Sequence, residues 1–500
     1  MGGAKVSPRS DFKILIGFEV LNALGSFWVT LMRLPLAFFS LLALVCSPFL
    51  GQAQATPSSK PNIIYILADD LGFAELSCNG GDAYKTPNID ALAAGGVRFT
   101  HFYTVPLCGP SRALILTGRY AFRTGATNQD ACANLVRTGA KAEVMIPTLL
   151  KKAGYATAMI GKWGQLSPSG TSTEWGFDYN LYYRGSGIYW NSNVVKGMTR
   201  DGAVRGSPDT YVLNGKTMQL GDKQYMPDLL HRHVVDFMEA NQKQPFFVYY
   251  SLSHVHGEIL PTPDSAPGKD GAKSEDRAVE LFRDNVVYMD KLVGQLVAEL
   301  DRLKLRDNTL IVFMGDNGTA KPQADRATIG GKRLEGEKGS MKEGGGLVPF
   351  LMNWRGVAVA GKVNPNVADA SDLLPTFAEV AGVPVPADRV LDGKSLVPYL
   401  KGETTPLRPW VYNQLGPNWY VREAGWKLNQ AGELYDMKNA PFSETLVSAD
   451  SKVPEAVAAR TRLAAALAQL NPAGGIVDKG DGSGRSAKED KKKKTKADSK

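Results

Sequence analysis

The sequence predicts an α/β protein: a large mixed, mostly parallel sheet flanked by helices, with a smaller C-terminal antiparallel sheet and helix. Three observations carry this expectation. From Pro61 onward, short apolar runs alternate with helical patterns, as parallel strands joined by crossover helices require. NIIYILA (62–68) is continuously apolar, the pattern of a strand covered on both faces, and YATAMIG (155–161), PFFVYYSLS (245–253) and NTLIVFMG (308–315) repeat it. After about residue 402 the character changes to WVYNQL, WYVREAGWKLN and GELYDM, read as short antiparallel strands, followed by an alanine-rich helix from Pro454 to Leu470.

Between the strands, TPNIDALAAGG, IPTLLKKAG, PDLLHRHVVDFMEANQ and RAVELFRDNVVYMDKLVGQLVAELDRL read as helices. Residues 164–225 form a long Gly/Ser/Asn/aromatic insertion, a length found in functional lids and in disordered segments. Its aromatics between Trp175 and Trp190 either stack on sugar rings or pack the insertion itself.

The formal net charge of +8 sits mostly at the ends. Asp478–Lys500 carries nine Lys/Arg against five Asp/Glu, and the first 55 residues carry four against two, leaving about +2 for the body. A nucleic-acid face is therefore not expected. The chain divides into a signal region (1–55), a catalytic domain (56–401), a C-terminal α+β subdomain (402–473) and a disordered basic tail (474–500). MRLPLAFFSLLALVCSPFLGQAQA (32–55) has the charged start, apolar centre and small-residue end of an export signal. Translation from Met32, a mature start near Thr56 and a periplasmic or secreted product follow. No stable membrane anchor is expected, since Glu19, Asn22 and Arg33 interrupt the apolar stretch from Ile14 to Leu50. Four cysteines are too few for a disulfide scaffold. Cys46 leaves with the signal, Cys78 and Cys132 are free to pair, and Cys108 is the odd one out.

CGPSRALILTGR (108–119) has the local physics of an anion site. Pro110 suits a first helical turn and Ser111 can satisfy an orphan amide, which leaves Cys108 at the positive end of the helix. Arg112, four residues on, shares a face with Cys108 and offers a planar fork to an oxyanion. A buried cysteine before an ordinary helix is the competing reading.

Ligands of open α/β sheets bind beyond the carboxyl ends of the strands. The first strand ends at Asp69-Asp70-Leu71-Gly72 and the last at Asp316-Asn317-Gly318, three carboxylates and an amide oxygen suited to calcium or magnesium. Taken singly, each is more often a turn or cap. The other two strands end at Gly161-Lys162-Trp163 and His254-Val255-His256, candidates for charge stabilisation and proton transfer.

These residues carry a resemblance. From about Lys60 to Leu470 the chain resembles a type I sulfatase of the alkaline-phosphatase-like superfamily, through CGPSRALILTGR, PNIIYILADDLG, TPNIDALAAGGVRFTHFY, GKW, DNG, KGSMKEGG and the late GWKLN…GELYDM. The resemblance implies that a formylglycine-generating enzyme oxidises Cys108 to formylglycine. It implies Ca2+, rather than Mg2+, on Asp69, Asp70, Asp316, Asn317 and modified Cys108. Arg112 would touch that region, and Lys162, His256 and Lys338 would bind sulfate or the leaving oxygen. One hydroxyl of the formylglycine hydrate attacks sulfur while the alcohol departs, and the other then expels sulfate. In comparable SHVH strand ends the second histidine is catalytic, which favours His256 over His254. His101, His231 and His233 are left as structural.

Two positions depart from the family pattern. A histidine two residues after the GKW lysine is replaced by Gly164, so sulfate release needs another helper or is slow, and restoring Gly164→His is expected to raise turnover or leave it level, provided the loop tolerates the ring. An arginine usually precedes the proline after EGG, where Leu347 and Val348 stand here. The substrate expected is a sulfated ester, a carbohydrate ahead of a small aryl ester. The rivals are a phosphodiesterase or phosphonate hydrolase of the same superfamily, and a degenerate sulfatase fold that only binds.

Overall fold

A computed structural model describes residues 60–135, 142–164, 175–183, 189–190, 211–221, 224–257, 259–267 and 274–474. The export signal, the mature start near Thr56 and nearly all of the basic tail lie outside them. The described residues belong to one compact unit, 59–500.

The fold is built on a ten-stranded mixed sheet. Asn62–Ala68 is central, parallel to Phe246–Ser251 on one side and to Thr309–Gly315 on the other, with Ile64 opposite Val248 and Ile311. Ala156–Lys162 and then Tyr179–Tyr183 extend the parallel side, and the short strands Tyr211–Leu213 and Lys216–Thr217 close it antiparallel. On the other flank Phe350–Asn353 runs antiparallel to Thr309–Gly315, followed by Val97–Phe99 and Lys362–Asn364. The four apolar runs are therefore the parallel heart of the sheet, within one or two residues of their expected bounds.

Every residue of Asn62–Ala68 and Thr309–Gly315 is buried, because helices cover both faces. Ile63, Tyr65 and Leu67 point into a core shared with Leu114 and Ile115 of the helix Cys108–Thr117 and with Phe377 of Leu373–Ala381. Ile64 and Ile66 meet Leu230 and Val234 of Met226–Ala240, and Val286 and Met289 of Ser274–Arg302. Each such aliphatic side chain contributes about 1.5–3 kcal/mol on burial, which anchors the strands whose ends carry the polar groups.

The C-terminal sheet has five antiparallel strands, Val411–Leu415, Asn418–Arg422, Trp426–Asn429, Leu434–Asp436 and Thr445–Val447. Helix Pro454–Leu470 packs Ala459 and Leu463 with Val421 and Leu428 in the same core as the cysteine helix.

The insertion is not all loop. Tyr179–Tyr183 is a sheet strand, and Trp175, Phe177, Tyr182, Tyr183 and Tyr189 are buried. Of the two readings of these aromatics, packing holds for these five, while Tyr179 and Trp190 are half-buried against the core that holds Tyr183 and Tyr189. The remainder, 165–174, 184–188, 191–210 and 222–223, lies outside the described residues. Cys78 and Cys132 are free thiols, the latter donating to the Asn128 carbonyl at 3.1 Å. Among the described residues no helix is long and apolar enough to cross a membrane.

Candidate active site

Parallel strands end on one side of a sheet, so the polar residues that stop them meet there. Backbone bonds extend this alignment past the strands: Asp316 N–H donates to the Ala68 carbonyl at 2.9 Å, and Asp69 N–H to that of His254 at 2.8 Å. Asp70 takes φ +57°, a left-handed conformation that aspartate tolerates better than most residues. Its N–H donates to Asp316 Oδ1 at 2.9 Å, and its own Oδ1 accepts from Asn317 Nδ2 at 2.9 Å.

Three cations answer the three carboxylates. Lys162 Nζ lies 2.6 Å from Asp69 Oδ2, and Arg112 Nη2 lies 2.8 Å from Asp316 Oδ2. Lys338 Nζ lies 2.6 Å from Asp70 Oδ1. Arg112 also donates through Nη1 to the Lys162 carbonyl at 3.0 Å and to Ser251 Oγ at 2.5 Å, so one side chain ties its helix to three strand ends. His256 Nε2 stands 3.8 Å from Asp70 Oδ2, with its side chain 14% exposed. His254 is fully buried, with Nε2 3.0 Å from the Tyr225 hydroxyl. The structure thus brings His256, and not His254, to the carboxylates. His231 is buried elsewhere, His233 pairs with the Tyr179 hydroxyl at 2.5 Å, and His101 Nδ1 with Thr100 Oγ1 at 3.0 Å.

Cys108 opens its helix and is buried, with the extended Leu107 before it. Ser111 does not cap an amide there: its hydroxyl donates to the Val105 carbonyl at 2.5 Å. The segment carrying Lys338 is held against the cysteine by Gly339 N–H donating to the Pro106 carbonyl at 2.7 Å. The C-terminal sheet braces the same segment from outside, where buried Arg422 forks onto Glu343 at 2.9 and 3.2 Å. Leu347 and Val348 are buried among apolar neighbours, so the arginine expected at this point would have to be accommodated in a core.

Charge arrangement separates the titrations. Burial and the charge of Asp69 push Asp316 up to about 7. Burial would also raise Asp69, but Lys162, His256 and Arg112 outweigh it and hold that carboxyl well below its usual range. Burial alone would lower Lys162 and Lys338, yet Asp69 and Asp70 respectively hold both ammoniums above their ordinary value. Burial, with help from Lys162, brings His256 down to about 4. Burial pushes the Cys108 thiol up despite the two lysines.

Asp69 Oδ1 and Asn317 Oδ1 are buried oxygens with no hydrogen-bond partner, an expensive arrangement that a hard cation relieves. Asp69, Asp70 and His256 offer ligand atoms within 4.8 Å of one another. The residues present fit such an ion.

One contact was absent from the sequence reading. Gln129 Oε1 accepts from Cys108 Sγ at 3.4 Å and from Gly109 N–H at 3.0 Å. It comes from a stretch, TGATNQDA, with no periodicity or motif to mark it. Gly164 has φ +76°, and a Cβ built there would lie 3.3 Å from Arg112 Cδ.

The sulfatase family model matches residues 61–383. Human arylsulfatase A is 35% identical over 366 residues, covering 70% of this chain and 69% of that protein. Mouse N-acetylgalactosamine-6-sulfatase is 32% identical, covering 73% and 70% respectively. A solved structure of Ps i-CgsB in complex with k-i-k-neocarrahexaose is 30% identical, with TM-score 0.66 over 82% of this chain and 93% of that one. With its large mixed sheet, its separate antiparallel sheet and this strand-end site, the chain belongs to the sulfatase family and is a sulfuric ester hydrolase of the alkaline-phosphatase-like superfamily.

Proposed function

We propose that the protein hydrolyses sulfate esters of carbohydrates with formylglycine at position 108 and a calcium ion held by Asp69, Asp70, Asp316, Asn317 and residue 108. The observation that carries the reading is the meeting of Cys108 with Arg112, Lys162 and Lys338 beside a cluster of hard oxygens. Carbohydrate is favoured by the names of the relatives, an N-acetylgalactosamine-6-sulfatase and a protein crystallised with neocarrahexaose.

When bound, the cation acidifies a hydroxyl beside it and polarises a sulfuryl oxygen. Formylglycine supplies, as its hydrate, one hydroxyl to attack sulfur and a second to expel sulfate. An ordinary alcohol lacks the second, and the Cys108 thiol, protonated through burial, is a poor nucleophile. Arg112 fixes the helix and residue 108 against the sheet. Lys162 and Lys338 stay protonated at neutral pH, neutralise sulfuryl oxygens and protonate the departing alcohol. His256, its proton affinity brought low by burial, lies beside Asp70 to bind sulfate or the leaving oxygen. A mature start near Thr56, export, and the division at residue 402 belong to the same proposal.

Mass spectrometry of the peptide containing residue 108 tests it. Active protein should show loss of the thiol and the mass of an aldehyde or its hydrate, the fraction converted tracking specific activity across hosts. Cys108→Ser should become sulfated without turning over. Sulfate esters should be preferred to their phosphate counterparts. Full activity from an entirely unmodified thiol would overturn the mechanism.

A further inference from the structure

We propose that Gln129 is a positioning residue of the reaction, its Oε1 accepting a hydrogen bond from a hydroxyl of residue 108 and holding that side chain in its reactive orientation. The proposal rests on the reading of residue 108 as a formylglycine hydrate.

Two donors converge on this one oxygen. Cys108 Sγ stands 3.4 Å away and Gly109 N–H 3.0 Å away, so the amide plane is pinned by the residue it serves and by the next peptide. A hydroxyl on the same Cβ is a stronger donor than the thiol that already points at this oxygen. The neighbouring residue makes room for it. A Cβ on Gly109 would lie 2.8 Å from Oε1 and 3.0 Å from Cδ and Nε2, so glycine at 109 is what admits the amide. The backbone on both sides of Gln129 is tied down. Gly416 N–H, from the turn between the first two C-terminal strands, donates to the Thr127 carbonyl at 2.7 Å, and Ala131 N–H donates to Asn128 Oδ1 at 2.8 Å. Gly164 carries no side chain that could share the task. An amide oxygen is too weakly basic to take a proton at neutral pH, so Gln129 orients the hydroxyl and moves no proton.

The Gly109 N–H belongs to a helix first turn and has no partner within the helix, so a simple capping role for Gln129 has to be told apart from a positioning one. Wild type, Gln129→Leu and Gln129→Glu are produced with the maturation enzyme. Each is measured for conversion of residue 108 by mass spectrometry, for labelling of the substrate-free protein by an aldehyde-specific hydrazide, for melting temperature, and for kcat and KM on a generic aryl sulfate. Loss of the acceptor destabilises the hydrate against the free aldehyde. Gln129→Leu should convert normally, label about tenfold faster and lose about tenfold in kcat with KM little changed, the worth of one hydrogen bond. Gln129→Glu keeps an acceptor and should return both labelling and kcat toward wild type. A folded Gln129→Leu with wild-type labelling and kcat overturns the proposal, and if only its melting temperature falls the residue is a cap. Should Gln129→Leu not fold, Gln129→Asn, one methylene too short to reach, is read by the same criteria. Absence of any aldehyde at position 108 in active wild type would sink the formylglycine reading itself, a failure separate from a silent Gln129.

Discussion

Arg112 Nη2 lies 2.8 Å from Asp316 Oδ2 with both side chains wholly excluded from solvent, so one ion pair joins the helix carrying residue 108 to the end of a central strand. Asp69 Oδ1 is 3.5 Å from the same nitrogen, and Ser251 and the Lys162 carbonyl take the other arm of the fork. The arginine is thus a structural rivet between its helix and the strand ends.

Removing one partner of such a pair leaves a buried charge uncompensated, which costs about 3–5 kcal/mol. Arg112→Gln should lose about that much in urea unfolding and should be inactive. Arg112→Lys, which keeps the charge but not the fork, should fall between. A fully stable Arg112→Gln would show that the pair carries little of the fold.

Metal content should be one Ca2+ per chain. Chelation should abolish turnover and lower the melting temperature, with calcium restoring both better than magnesium. Asn317→Ala, which deletes a buried oxygen that has no hydrogen-bond partner and leaves Asp70 paired with Lys338, should weaken calcium binding by isothermal titration. Unchanged affinity would reject Asn317 as a ligand.

Gly164→His should not improve the enzyme, contrary to what the family pattern suggests. The left-handed backbone at φ +76° costs a β-carbon about 1–2 kcal/mol, and that carbon would press on Arg112 Cδ at 3.3 Å. A lower melting temperature and reduced kcat are expected. A variant as stable as wild type and more active would show that the loop relaxes around the ring.

Acid should destabilise the fold through histidines buried in neutral form. Burial brings His231 down to about 4 against an ordinary 6.5, with Glu299 opposing only in part. Below the ordinary value the unfolded chain binds a proton that the folded chain refuses. Stability is therefore lost as pH falls from about 6.5 to about 4, by about 1.4 kcal/mol for each unit of depression. His231→Gln should flatten that part of the urea-midpoint profile. An unaltered slope would mean that His231 protonates in the folded protein without penalty.

Much of the site was legible because strand ends announce themselves. A continuous apolar run of seven residues such as 62–68 reads as a doubly covered strand, and the Asp-Asp that stops it then lies at the sheet edge where ligands bind. Lys162 and Asp316 were readable in the same way, as the last residue of one strand and the first beyond another. The helix Pro454–Leu470 was also visible, its periodicity being local.

What the sequence determined by itself was therefore the four central parallel strands and the ionisable residues at their ends, written in patterns a few residues long, while the six flanking strands of the sheet were left to the structure. Tertiary structure alone separated His254 from His256, placing one under Tyr225 and the other beside Asp70. It also sent most of the insertion aromatics into the core, turned the Ser111 hydroxyl to Val105, and brought Gln129 to Cys108 from 21 positions along the chain. These outcomes depend on which surfaces meet. Side-chain burial and hydrogen-bond pairing are set by neighbours distant in the chain, and no local pattern encodes a contact whose partner lies in another element.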